Sequence, residues 1–309
     1  LDPQELAVRF PTIHYPHHRA IYEPGSGVLR AHKCVQAVQD VFTRMGGTLV
    51  DSCNVERYEI QPNNQVLVHC DNSRCFKCDK LIIAAGAWST KFVPEFKSLV
   101  TTEATAHLYW RSLKQGAYSA HSGFTVISQM PEEKIYGQPA LEYPDLIKIC
   151  HASGTVCDPN YRDLVDISGQ IENTRRYVRQ HYPYLDSSQP AIIERCIFCH
   201  AHDLEAILDR HPKHPKSVIV NVGFSAEGFM TSPVVGKILA FMAMDRDIEL
   251  TQKYKMDRYR VESDGILLPP TSSNCLAVRP AGRRTESGEN EEGVIVIVMW
   301  SAEIGGCQS

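Results

Sequence analysis

The residues with the clearest chemical meaning are glycines that follow two apolar, strand-like segments. Residues 80–90 run from a buried strand through Gly86 towards a helix, and residues 218–236 turn at Gly223 and Gly228. Small residues at such turns let the backbone approach a flat or phosphorylated ligand, which the following N–H groups can face. Two such turns in one α/β domain can line the same crevice and therefore indicate a dinucleotide site. Turns that serve only for packing are the alternative.

The eleven cysteines are a second source of chemistry. Two pairs, Cys75 with Cys78 and Cys196 with Cys199, have the CxxC spacing of zinc sites. The pairs lie far apart along the chain and outside glycine-rich knuckles, so we interpret them as reduced thiols and expect no metal. A zinc-bound interaction module is the alternative.

The composition excludes several classes of protein. With 309 residues and a formal net charge of -4, the chain has a globular composition and no overall attraction to nucleic acid. Its longest apolar runs are strand-sized, which predicts no membrane span. Hydrolase chemistry is disfavoured because no GxSxG elbow or HExxH pair is present.

The elements around these motifs are of two kinds. An amphipathic helix over 34–47 and strands at Thr48–Asp51 and Gln65–His69 predict mixed helix and sheet, while short alternating segments predict an antiparallel sheet. A charged helical pattern runs from Ile167 to Tyr184. We also expect a helix capped by Ser89 or Thr90, and another over 233–243 with Pro233 just inside its start.

This pattern divides the chain into four parts. Residues 1–98 and 196–262 form one α/β domain that is interrupted by an antiparallel β domain over 99–195. Residues 263–309 are predicted to be a disordered or aberrant tail, with an isolated strand at 294–300.

Three segments together resemble the FAD-dependent sarcosine and pipecolate oxidase family. They are Tyr22–Leu29, the turn at 81–89, and residues 207–212 leading to Gly223-Phe-Ser, and the resemblance runs from about residue 5 to about residue 262. It implies an α/β fold of the D-amino-acid-oxidase type, with an incomplete FAD-binding Rossmann-type domain and an antiparallel-sheet substrate domain in a p-hydroxybenzoate-hydroxylase-like two-domain architecture. It further implies oxidation of the C–N bond of a small secondary amino acid by FAD, with O2 reduced to H2O2, in a monomer.

The resemblance also concerns the two ends of the chain. The family's GxGxxG segment would precede Leu1, so we expect a fragment of a longer protein. Family members are peroxisomal and commonly carry a C-terminal targeting tripeptide, whereas residues 306–309 read Gly-Cys-Gln-Ser. We therefore predict a peroxisomal protein by resemblance, and a cytoplasmic one otherwise.

Four residues of this chain are carried over as candidates. Cys196 matches the family cysteine that forms a thioether to the flavin, which requires a thiolate and predicts a nearby cation such as Arg195; a core cysteine is the alternative. Lys148 matches the lysine that assists O2 reduction, with a solvent-facing lysine on an edge strand as the alternative. Tyr136 matches a tyrosine of the substrate pocket or is simply a core tyrosine, and His151 lies one position before the family histidine.

The two glycine turns supply the remaining expected FAD contacts: Gly86, Ala87, Trp88, Gly223, Phe224, Ser225, Gly228, Phe229 and Met230. Within them Ala226 and Glu227 replace a Gly-His pair, and Met230 replaces a lysine that binds the substrate carboxylate. Loss of one charged hydrogen bond weakens binding by about 2 to 3 kcal/mol. A catalytically inactive relative that acts as a binding or remnant protein is therefore the alternative function.

Overall fold

The computed structural model describes residues 1–129, 133–246, 254–255, 260–261, 267–268 and 294–298. Among these residues, Leu1–Val41 and Thr102–Phe198 form one compact unit. Phe42–Thr101 and the described residues from Cys199 onward form a second unit.

The helices are α1 (Pro3–Arg9), α2 (Ala31–Arg44), α3 (Ser89–Phe92), α4 (Ser168–His181) and α5 (Gly228–Ala243). The strands of the first half are β1 (Val55–Ile60), β2 (Val66–Cys70), β3 (Cys75–Cys78), β4 (Lys80–Ala84), β5 (Val100–Arg111), β6 (Ile127–Gln129), β7 (Ile135–Tyr143) and β8 (Leu146–His151). The remaining strands are β9 (Thr155–Val156), β10 (Ile192–Ala201), β11 (Ile207–Arg210), β12 (Val218–Val222), β13 (Arg260–Val261), β14 (Leu267–Leu268) and β15 (Val294–Val298). None of the described helices is long and apolar enough to cross a membrane.

The first unit is built on a sheet with the strand order β10-β5-β8-β7-β6, and β9 pairs with β5. The β5–β8, β7–β8 and β6–β7 pairs are antiparallel. Side chains alternate between the two faces of a strand, and Trp110, Ile147 and Ile149 are buried with Tyr177 and Val178 of α4. The residues between them therefore point to the opposite face, which carries the polar groups described below.

Residues 1–41 depart from the sequence-based division, which placed all of 1–98 in the α/β domain. Leu6, Phe10, Ile13 and Tyr15 are buried in the same core as α4. Burial of these apolar side chains favours association of the segment with the antiparallel sheet. The boundaries of the sheet portion, Thr102 and Phe198, lie three residues from the predicted 99 and 195.

The second unit contains a parallel sheet with the strand order β11-β12-β4-β15. β12 and β15 both run parallel to β4, and β11 is antiparallel to β12. Leu81 and Ile83 face one apolar core, and Ile82 packs against Ile238 of α5 in another. Burial on both faces explains why β4 and β12 read as continuous apolar runs.

Two predicted elements are wrong or incomplete, and two strands were missed. Thr48–Asp51 forms no strand, and Leu49 is 54% exposed; within the described residues it has no partner strand to supply ladder hydrogen bonds. The helix predicted over 34–47 is present as α2, but none of its residues is buried. β1 and β3 were not predicted.

The strand predicted as isolated at 294–300 is also corrected. Val294–Val298 pairs in parallel with Lys80–Ala84. An edge strand has unpaired backbone N–H and C=O groups that can bond a further strand. In this sheet, β15 forms these hydrogen bonds with β4. Apart from these residues and Leu267–Leu268, the predicted tail over 263–309 lies outside the described residues.

Candidate active site

The polar face of the antiparallel sheet brings together residues of four strands. Lys148 lies opposite Tyr109 of β5 and Gln138 of β7, and Tyr136 lies opposite Cys150. Directly opposed residues share a face of the sheet. Cys196 of β10 belongs to the same group, because its thiol influences both Tyr136 and Cys150 electrostatically. Three of the four predicted residues, Lys148, Tyr136 and Cys196, therefore lie on one surface.

Lys148 is 8% exposed and lies on β8, which is flanked by β5 and β7. The alternative of a solvent-facing lysine on an edge strand is therefore wrong. The Nζ atom lies 4.0 Å from Oε1 of Glu142 and 5.6 Å from the centre of the Tyr109 ring. A carboxylate and an aromatic face compensate the cost of burying the ammonium.

Glu194 is the second carboxylate of this face, and the sequence did not indicate it. The Tyr143 hydroxyl donates to Oε1 at 2.7 Å, and the Tyr109 hydroxyl lies 3.0 Å from Oε2. The neighbouring imidazole of His107 lowers the pKa of Glu194 to about 2; burial opposes this shift, and hydrogen bonds from the two tyrosines add to it. Glu194 is therefore an anion throughout the physiological pH range.

His107 and Cys196 form a close pair, with 3.3 Å between Nδ1 and Sγ. The same Nδ1 atom lies 3.9 Å from Oε2 of Glu194. Burial lowers the pKa of His107, but the hydrogen bond with Cys196 and the nearby carboxylate of Glu194 outweigh that effect, and the net pKa is raised. His107 therefore holds a proton more readily than a free imidazole does.

Arg195, which we expected to accompany Cys196, is directed elsewhere. Its Nη1 atom donates to the carbonyl of Val165 at 2.7 Å. Residues 195 and 196 are consecutive on β10, so their side chains leave opposite faces of the strand. His107 takes the expected place of the cation; alternation along β5 could have put it on the face of Tyr109, but nothing in the sequence selected that face.

Tyr136 is half-buried, and burial raises its pKa, with further increases from Cys150 and Cys196. It is therefore a neutral phenol. His151 is not part of the group: it pairs with Ile135, on the face opposite to Cys150. Its Nδ1 atom lies 2.6 Å from the hydroxyl of Ser153. His151 therefore does not lie beside Lys148, because residues separated by an odd number of positions on a strand point to opposite faces.

The two glycine turns of the second unit follow neighbouring parallel strands at the same edge of the sheet. Gly86, Ala87 and Trp88 form a short 3-10 helix after β4, and residues 223–227 connect β12 to α5. Gly86 and Gly223 have positive φ angles of 51° and 82°. A Cβ atom at Gly223 would lie 3.0 Å from the backbone nitrogen of Ala201, so this position requires glycine.

The helices after these turns begin differently from the prediction. The N-cap of α3 is Trp88, and the buried hydroxyl of Ser89 has no hydrogen-bond partner among the described residues. α5 begins at Gly228, so Pro233 lies inside the helix. Because proline lacks an N–H, the carbonyl of Phe229 is free to accept from the Ser232 hydroxyl, at 2.9 Å.

The start of α5 has features that fit a bound cofactor. Its N-cap residue, Glu227, makes no side-chain capping hydrogen bond. Phe229 and Met230 of the first turn are 38% and 63% exposed. The first N–H groups of a helix without a side-chain cap can bind an electronegative part of a ligand. Of the predicted contacts, Phe224 and Ser225 lie in the same turn, and Ser225 has a φ of 55°.

The CxxC pairs do not form a metal site in the described part of the chain. No group of three or more His, Cys, Asp or Glu side chains there could hold a metal ion. Cys75 and Cys78 lie on β3, and Cys196 and Cys199 on β10. A spacing of three residues on a strand directs the two thiols to opposite faces.

Comparisons with known proteins show the fold of the chain and the family to which it belongs. Glycine oxidase from Geobacillus kaustophilus has the same fold, with a TM-score of 0.65 at 18% identity over 81% of this chain and 63% of that chain. The "Peroxisomal sarcosine oxidase" of Homo sapiens is 33% identical over 84% of this chain and 67% of its own length. The protein of that name from Mus musculus is 32% identical with the same coverage.

The family model for "FAD dependent oxidoreductase" matches residues 1–242. The chain belongs to this family of FAD-dependent oxidoreductases, and the resemblance inferred from its motifs is confirmed. The mixed α/β fold with an antiparallel sheet is confirmed as well. The chain spans about two thirds of the length of the sarcosine oxidases that it matches.

Proposed function

We propose that the protein binds FAD and oxidises the C–N bond of a small secondary amine or amino acid, of the sarcosine or L-pipecolate class, with O2 reduced to H2O2. The observation that carries the proposal is the polar sheet face, where buried Lys148 and the His107–Cys196 pair lie together. Family membership and the names of the human and mouse relatives support the same chemistry. Those names also support a peroxisomal location, and we propose a monomer.

Each unit, taken by itself, has residues that fit part of a flavin cofactor. In the second, Gly86 has a positive φ angle with open space where a Cβ atom would lie, and the first turn of α5 has no side-chain cap. In the first, Cys196 offers a thiol beside a basic nitrogen. We propose that Gly86, Ala87 and Trp88 and residues 223–230 contact the cofactor and that Cys196 attaches it through a thioether.

Bound FAD would supply the acceptor for the hydride removed from the carbon next to nitrogen. Lys148 would hold a positive charge in a site that excludes water, where it stabilises the negative charge that develops on O2. Tyr136, a neutral phenol, would line the substrate pocket and can donate one hydrogen bond to the substrate. Glu142 and Glu194 would balance the two cations of this face.

The first experiment is the visible absorbance of the purified chain before and after acid precipitation. Covalently bound flavin stays with the pellet, so we expect a yellow pellet that becomes colourless in Cys196→Ala and stays yellow in Cys199→Ala. A colourless pellet with a yellow supernatant would contradict the covalent bond alone. Protein that remains colourless after incubation with FAD would contradict the flavin proposal and favour the inactive relative.

The second experiment separates the two half-reactions. We expect anaerobic sarcosine, L-pipecolate or L-proline to bleach the flavin, and Lys148→Met to slow reoxidation by O2 on the order of a hundredfold. Lys114→Met is the matched control, because Lys114 also lies over a tyrosine ring, that of Tyr184. Flavin that none of these amines reduces would contradict the substrate class.

A further inference from the structure

The His107–Cys196 pair carries a role that goes beyond the proposed attachment of the cofactor. Two neighbours of Cys196 Sγ can accept a hydrogen bond from its thiol: the backbone carbonyl of Glu194 at 3.6 Å and Nδ1 of His107 at 3.3 Å. A carbonyl oxygen accepts a hydrogen bond without removing the proton, whereas an imidazole nitrogen is a base. Only the histidine can therefore convert the thiol into the nucleophilic thiolate.

The surroundings of His107 favour the product of that transfer. Glu194 Oε2 lies 3.9 Å from the same nitrogen, and the Tyr143 hydroxyl holds the other carboxylate oxygen at 2.7 Å. An anion fixed beside the imidazole stabilises its protonated form. Lys148 acts in the opposite direction on His107, but its charge is compensated by Glu142, with 4.0 Å between Nζ and Oε1.

We propose that His107 is the base that accepts the Cys196 proton at Nδ1, and that Glu194 is a positioning residue which holds His107 for this step. The proposal rests on the proposed covalent attachment for its biological meaning. In that attachment, a C–S bond replaces the Cys196 S–H bond and one C–H bond of the flavin ring system. The two hydrogens leave with two electrons, and O2, the oxidant, is reduced to H2O2.

The activation of the thiol can be measured without flavin. The whole chain is produced in riboflavin-limited cells, and limiting iodoacetamide is added between pH 5 and pH 9. Peptide mass spectrometry then gives the alkylation rate of Cys196 relative to Cys75, which is exposed. The reaction forms a C–S bond and releases iodide, while the thiol proton goes to His107.

We expect His107→Gln to lower the Cys196 rate at pH 7 by about tenfold or more, since the thiolate is the reactive form. The pH range over which the alkylation rate of Cys196 rises should also be higher in this variant. A loss of packing alone would not produce that shift. The titratable groups that face His107 are Cys196, Glu194, Lys148 and, in the same cluster, Glu142 with the hydroxyls of Tyr109 and Tyr143. His121→Gln, at an exposed site of the same unit, is the matched control and should leave the rate unchanged.

Glu194→Gln should reduce the Cys196 rate less than His107→Gln does, because the base remains while its counter-charge is lost. If His107→Gln has no cooperative thermal transition, the same comparison is made with Glu194→Gln and Tyr143→Phe. Equal pH profiles in the native chain and in these variants would overturn the proposal.

Incubation of each protein with FAD, followed by flavin fluorescence of the denatured band, separates this inference from the proposed function. Flavin attached equally well with and without His107, together with unchanged alkylation, would refute the inference and leave the covalent bond standing. Alkylation that depends on His107 without any attached flavin would refute the covalent bond and leave the base standing.

Discussion

Replacement of Glu194 by glutamine tests the electrostatics of the polar sheet face. The carboxylate has a pKa of about 2 instead of 4.5, mainly because of the neighbouring imidazole of His107. The Glu194 side chain is only 19% exposed, so solvent screens this interaction weakly. At about 1.4 kcal/mol for each tenfold change in proton affinity, the difference between 4.5 and about 2 corresponds to a stabilisation of the fold by about 3 kcal/mol.

The pH dependence of this contribution has a definite sign. A lowered pKa in the folded state makes the contribution complete above pH 4.5 and removes it as the pH falls through about 2. The raised pKa of His107 acts in the other direction: its contribution is complete below about pH 6.5 and is lost as the pH rises through the folded value. The pair is therefore most stabilising between about pH 4.5 and pH 6.5.

The assay is urea unfolding followed by tryptophan fluorescence, for the native chain and Glu194→Gln. We expect the difference in the free energy of unfolding to reach its full value at about pH 5.5 and to fall by about half at pH 3. Glu56→Gln, the same substitution at an exposed position of β1, should change stability by less than about 0.5 kcal/mol. A difference for Glu194→Gln that is independent of pH would refute the electrostatic explanation.

Three further predictions concern the stability of the elements around the site, and thermal unfolding checks each of them. Gly223→Ala should destabilise the protein by about 1 to 3 kcal/mol, because φ is 82° and the new Cβ atom would contact Ala201. Gly169→Ala, with open space around the position, should be neutral or stabilising. Equal effects of the two substitutions would contradict the steric reason. Ser232→Ala should cost about 1 kcal/mol because the Phe229 carbonyl loses its hydroxyl donor, and no change would show that water replaces it. Tyr177→Phe should cost about 1 to 2 kcal/mol because its hydroxyl bonds both Tyr15 and Gln129, while Tyr161→Phe, at an exposed site, should have no effect.

The parts of the fold that the sequence predicted are those whose signal is local. The apolar runs of β4 and β12, the helical periodicity of α2 and α4, and the glycine turns each depend on a few neighbouring residues. The segment Thr48–Asp51 has the same local signal as a strand but forms none, because a strand also needs a partner. Pro233 was placed at a helix start because proline fits the first turn, but α5 begins five residues earlier, at Gly228, and continues through Pro233. The Phe229 carbonyl, which Pro233 cannot bond, accepts from the Ser232 hydroxyl instead.

The site was predictable only where a matching residue existed in the resembled family. Lys148, Tyr136 and Cys196 were found in that way, and the structure groups them on one sheet face. His107 and Glu194 were missed because their chemistry arises from strands that are distant in sequence: residue 107 is brought to residue 196 by the order β10-β5-β8. His151 was included by its residue type, although strand alternation turns it to the face away from Cys150.

The polar face is constrained by its charges. Glu142 and Glu194 are two carboxylates, and Lys148 compensates only one of them. Because an uncompensated buried charge is costly, the second carboxylate favours a proton on the nearest base, which is His107. The source of that proton with the shortest path is the thiol of Cys196, 3.3 Å away. The transfer leaves the net charge of the sheet face unchanged, but it places a positive imidazolium next to both the Glu194 carboxylate and the Cys196 sulfur. One protonated nitrogen therefore stabilises the second carboxylate together with the nucleophile that covalent attachment would require.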